Sequence, residues 1–178
     1  SVEKVVKDVT DTIKKVVDDA RRLSEEVVER NERVNKKLER LSREVVERIK
    51  DVLKRLRDKK SEKEEVERRI EKLVREHEEK TKKISEENKR SIREHERTSK
   101  EVEERIRRLV ETLKELVRRG VPVEDLKRDA DRIVEDIKRV VKELVKHAEK
   151  SVEDLERVVK EIVKDAERIV REIEKRVK

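Results

Sequence analysis

The sequence predicts an all-α fold: a straight, up-down-up antiparallel three-helix bundle with helices of about 57 residues each. Three observations lead there. Charged residues fill 57% of the 178 positions and apolar ones 31%, the latter being 29 Val, 12 Leu, 11 Ile and 4 Ala with no aromatic, Met or Cys. One Gly and one Pro supply too few turn formers for a sheet, a barrel or a loop-rich enzyme. The apolar residues recur at spacings of three and four, which places them on one stripe of a helix. Such a charge-rich chain would otherwise read as disordered, because it has little apolar surface to bury, but scattered apolar residues would not hold this spacing.

The elements follow in order. Ser1 is a ready N-cap, and helix 1 is expected over about 2–58. Its spine steps through Val2, Val5, Val9, Ile13, Val16 and Ala20, then Leu23, Val27, Asn31, Val34 and Leu38, then Leu41, Val45, Ile49, Val52 and Leu56. Asp58-Lys59-Lys60-Ser61 breaks it, and Ser61 with Glu64 has capping-box spacing for helix 2, expected over about 62–119. Gly120 followed by Pro122 matches a helix stop and restart, so helix 3 is expected over about 122–177. Helices of this length would be rods of about 85 Å. Links this short force neighbours to run antiparallel, and residues 1–178 read as a single domain.

The spine repeats every 18 residues. Ala130, Ala148 and Ala166 share a slot on helix 3, as do Val134, Val152 and Val170, while helix 2 repeats through Val66, Ile84 and Val102. Eighteen residues in five turns is the natural pitch of an α-helix, so the helices are expected to lie almost untwisted. The repeated slots span an arc of about 140°, enough for each helix to touch two others.

Polar residues in that arc stand out against their counterparts 18 positions away. Asn31 takes the slot of Ile13 and Ile49; Asn35 that of Val17 and Leu53; Asn88 that of Ile70 and Ile106; Ser91 that of Leu73 and Leu109; Ser151 that of Ile133 and Ile169. His77 and His95 share the slot of Leu113, Thr81 and Ser99 that of Val117, and Ser24 and Ser42 that of Val6. Folding residue numbers about turns near 60 and 120.5 estimates axial height, with i on helix 1 facing about 120 minus i on helix 2. Asn31 then lies level with Asn88 and Ser91, Asn35 with Ser85, Ser42 with His77, and, across helices 2 and 3, His95 with His147 and Ser91 with Ser151. A buried group left unpaired costs about 1–3 kcal/mol. We therefore expect a buried polar network of Asn31, Asn35, Ser85, Asn88, Ser91, His95, Ser99, His147 and Ser151, with a secondary layer of Ser42, His77 and Thr81. Its expected use is pairing specificity, since aliphatic ridges slide in register at little cost and buried polar groups do not.

On the unbroken register, the restricted alphabet and the Gly120-Val121-Pro122 connector, the chain resembles de novo, parametrically designed helical bundles with buried hydrogen-bond networks. The resemblance covers all 178 residues and implies a style of construction, a structural scaffold with no natural biochemical activity. The alternative is a designed binding module or oligomer subunit that pairs with another helix, or another copy of itself, through a helical groove.

Chemistry is not expected. Ser91 and His95 form an i, i+4 pair, but no inner-face carboxylate orients the imidazole and no Gly-rich segment forms an oxyanion site. His77 and His95 sit about 27 Å apart on one rod, and His95 with His147 supplies too few ligands for a zinc site. No cofactor is expected. The net charge of +7 raises nucleic-acid binding, yet 47 acidic residues interleave with 54 basic ones and no aromatic can stack on a base. No apolar run exceeds a pair, which argues against a membrane span or targeting signal and for a soluble product requiring no partner. Buried, neutral His95 and His147 would make stability fall with pH.

Overall fold

The computed structural model describes residues 1–57 and 63–177. The chain is a three-helix bundle of α1 (Val2–Arg57), α2 (Lys63–Arg118) and α3 (Val123–Val177). The predicted break at Asp58 to Ser61, the Ser61–Glu64 capping box and the Leu56 side chain lie outside the described residues.

The two described junction chemistries act as caps. Ser1 Oγ accepts from the Lys4 N–H at 3.4 Å, and the Ser1 carbonyl accepts from Val5, so the first turn is closed from outside. At the other end of the chain's midsection, Gly120 has φ 73°. The Gly120 N–H donates to the Val117 carbonyl and the Val121 N–H to that of Leu116, the paired bonds of a Schellman stop, which needs a residue at ease with positive φ. Pro122 sits one residue before α3, where its carbonyl accepts from Leu126 at 2.9 Å and its missing N–H costs nothing.

The described residues form two compact units, and each helix runs through both: Ser1–Glu29 with Ile92–Ser151, and Arg30–Ser91 with Val152–Lys178. In the first, Val5, Val9 and Ile13 of α1 pack with Ile106 and Leu113 of α2 and with Leu126, Ala130, Ile133, Ile137 and Val141 of α3. In the second, one cluster joins Ile49, Val52 and Leu53 to Ile70, Val170 and Ile173, and another joins Leu38 to Leu155, Val159 and Ile162. Within this second unit α1 runs antiparallel to α2, since Asn31, Asn35 and Ser42 bond to Asn88, Ser85 and His77 in falling order. It runs parallel to α3, since Arg30 pairs with Glu156 and Arg48 with Glu174 at the same offset of 126 residues.

The α3 ridge is aliphatic at every buried position from Leu126 to Ile173. On α2, by contrast, the buried side chains between Ile70 and Ile106 are Thr81, Ser85 and Asn88. Leu23 departs from the predicted spine: it is 37% exposed, although Val5 in the same slot is buried. The stretch of α2 at its level has no aliphatic residue between Ile92 and Val102.

Candidate functional site

All three asparagines of the chain are buried, each at 7% exposure or less, and with no glutamine present they are its only side-chain amides. Asn88 Nδ2 donates to Asn31 Oδ1 across the α1–α2 contact. One turn along, Asn35 Nδ2 donates to Ser85 Oγ at 3.1 Å, and Ser85 Oγ donates to Glu39 Oε1 at 2.8 Å. Lys89 Nζ stands 3.6 Å from the same carboxylate oxygen. The polar chain thus runs from a buried amide through a hydroxyl to a half-exposed ion pair, where solvent stabilises the charges. Asn35 Oδ1 and Thr81 Oγ1 are buried without a hydrogen-bond partner among the described residues.

Each unit also holds one hydroxyl–imidazole pair between α1 and α2. Ser42 Oγ lies 3.3 Å from His77 Nε2, and Ser24 Oγ lies 3.3 Å from His95 Nε2. The second pair is the first shifted by 18 residues toward the N-terminus on α1 and toward the C-terminus on α2. In each, the hydroxyl donates to an unprotonated nitrogen or the ring N–H donates to the hydroxyl, as the tautomer dictates.

Other expected members stand elsewhere. His147 is exposed, which corrects its assignment to a buried layer. Its counterparts 18 residues away are Asp129 and Asp165, so its slot is a charged boundary position; equal height along the bundle does not imply the same azimuth. Ser151 Oγ donates to the His147 carbonyl at 3.1 Å and Ser99 Oγ to the His95 carbonyl at 2.8 Å, so both hydroxyls are satisfied within their own helices. Ser91 is half-buried, and its hydroxyl is not among those bonded across the helices of the described residues. The expected convergence from three helices is therefore corrected: among the described residues, uncharged side chains bond across helices only between α1 and α2. Sequence reasoning placed Ser24 in the apolar arc but missed its pairing with His95, and it missed Glu39 altogether. Ser24 sums with His95 to the same total as Ser42 with His77 and could have been found by counting, whereas Glu39, one of 47 acidic residues, carried no signal beyond lying four positions after Asn35.

No group of three or more His, Cys, Asp or Glu among the described residues is arranged to hold a metal ion. Neither imidazole receives a carboxylate hydrogen bond among the described residues, so neither has the orienting partner that a nucleophile–base pair uses. No helix is long and apolar enough to cross a membrane among those residues.

Burial lowers the pKa of His77; Glu78 opposes the shift and Lys80 adds to it. Glu44, Arg48 and Glu167 also line the space around that ring. Burial likewise lowers His95, reinforced by His147 and opposed by Glu96. The folded chain therefore holds these two imidazoles neutral where the unfolded chain, with pKa about 6.5, begins to bind protons. Stability from this source is full above pH ~6.5, declines as pH falls toward the depressed values, and is flat below them. Urea midpoints should drop between pH 7.5 and pH 5 in the parent chain, and by less in the H77L/H95L variant, which carries the leucine found at Leu113.

No family model and no curated protein matches the chain. Among solved structures, it is similar to a computationally designed three-helix bundle, at 21% identity and a TM-score of 0.36, over 99% of this chain and 83% of that one.

Proposed function

We infer that this chain is a designed structural scaffold without natural biochemical activity, in which buried polar side chains fix how α1 pairs with α2. The observation that carries this reading is the character of α2 between Ile70 and Ile106. Its buried side chains there are Thr81, Ser85 and Asn88, and the last two bond to the two buried asparagines of α1. An aliphatic pair displaced by one turn finds other aliphatic neighbours, whereas displacing α2 breaks the Asn31–Asn88 pair, and each amide left buried and unpaired costs about 1–3 kcal/mol. The 18-residue register and the alphabet of four apolar residue types support construction over natural descent. The unbroken passage of three helices through both units supports a single cooperative domain over residues 1–178.

A second reading, a subunit that pairs with another copy of itself, has one feature in its favour. Val66, Ile70, Leu73, Ile169 and Ile173 line an open apolar groove between α2 and α3, and Leu73 is 36% exposed within it. Light scattering separates the two: the scaffold reading expects a constant 21.5 kDa over a hundredfold concentration range, and the second expects a multiple of it.

The register claim is tested by substitution. Asn88→Ile alone should destabilise by about 1–3 kcal/mol, because it leaves the Asn31 amide buried without a partner. The double variant N31I/N88I, which installs the residue found 18 positions away on both helices, should regain that stability and keep full helicity. Spin labels on cysteines introduced at exposed Arg33 and Glu86 should report one narrow distance in the parent chain and a broadened or split distribution in the double variant. An unchanged narrow distance would remove the specificity role.

A further inference from the structure

The scaffold reading gives no role to a cavity beside the Ser42–His77 pair. In the unit formed by residues 30–91 and 152–178, a space of ≈ 120 Å³ is lined by all three helices. Its apolar wall is built from Leu38, Leu41 and Val45 of α1 and from Ile162 and Ala166 of α3, and its one uncharged polar feature is the Ser42–His77 pair. The charged residues that line it, Glu44, Arg48 and Glu167, are exposed and so belong to its solvent side.

The space arises from side-chain size. Ala166 is almost fully buried on a ridge whose neighbours Ile162 and Val170 are larger, and Ser42 occupies the slot that Val6 fills elsewhere on α1. Aliphatic cavities near 150 Å³ admit a benzene-sized molecule. This one adds a hydroxyl and an imidazole that are bonded to each other at 3.3 Å, close to the outer limit for such a bond, and so can exchange it for a better one. A ligand hydroxyl both donates and accepts, so it suits either tautomer of His77. A charged ligand does not suit the site, because the aliphatic wall cannot replace its hydration.

We propose that this cavity is a binding site for a phenol-sized, neutral aromatic alcohol, its ring against Leu38, Leu41, Ile162 and Ala166 and its hydroxyl hydrogen-bonded to the Ser42–His77 pair. Burial favours the neutral form of His77, so no imidazolium has to be desolvated when the ligand enters at pH 7.5.

The full chain, labelled at Leu, Val and Ile methyls and at the histidine rings, is titrated by NMR at pH 7.5 with phenol and, separately, toluene. Phenol should produce saturable shifts at Leu38, Leu41, Ile162 and the His77 ring while His95 stays in place, and toluene should bind more weakly. In His77→Leu, phenol should lose its advantage, about fivefold for one hydrogen bond, and toluene should be retained. In Ala166→Ile, both ligands should lose their saturable shifts. Ser42→Val fills part of the same space with the residue that its slot holds at Val6, and should weaken both ligands if Ala166→Ile does not fold. Linear, non-saturating shifts in the parent chain would overturn the site, as would binding undiminished in the filled variants. Equal affinity for phenol and toluene would overturn the role of the Ser42–His77 pair.

Discussion

An amide taken out of water must find another hydrogen-bonding group, and in this chain the requirement falls on one place, the contact between α1 and α2. Asn31 and Asn88 meet there, and Asn35 meets Ser85 one turn away. Among the described residues, α3 offers these groups no partner, because its buried ridge is aliphatic from Leu126 to Ile173. The penalty for an unpaired amide, about 1–3 kcal/mol, is a sizeable part of the 5–15 kcal/mol by which a folded domain is ordinarily stable. Two such amides therefore weigh heavily on which pairing is the most stable one.

Division of labour among the helices follows. α3 contributes burial without selectivity, since Val, Leu, Ile and Ala at 18-residue intervals give equivalent surfaces one repeat apart. α2 contributes selectivity at the expense of burial, and the exposure of Leu23 on α1 belongs to the same trade, for the facing stretch of α2 is polar. Interhelical ion pairs such as Arg21–Glu103 and Arg30–Glu156 lie on the surface, where salt screening and side-chain entropy weaken them. They agree with the register without determining it.

The fold was legible because its signals are local and repeated. The spacing of apolar residues gives helices, and one Gly and one Pro give the described turn, so Gly120 and Pro122 could be assigned their conformations by residue type alone. Polar positions were legible only in part. Counting along two antiparallel helices gives height, and height alone pairs Asn31 with Asn88, Asn35 with Ser85 and Ser42 with His77, although Ser85 shares its slot with Glu67 and Glu103. His147 has the matching height but sits in the slot of Asp129 and Asp165, at the edge of the arc, and faces outward. Serine adds a second ambiguity: in a helix its hydroxyl can reach the carbonyl four residues back, as Ser99 and Ser151 do, so occupying an inner slot does not oblige it to bond across.

The chain's composition makes its central amide contact unusually open to measurement, because the three asparagines give the only carboxamide NH2 pairs in a 15N-correlated spectrum. The most direct test is the solvent exchange of the Asn88 Nδ2 protons, with nuclear Overhauser contacts recorded from them to α1. If Asn31 and Asn88 are buried and bonded, those protons exchange far more slowly than a free amide and show contacts to residues around position 31. Exchange at the rate of a solvated side chain, with no contact to α1, would contradict the account.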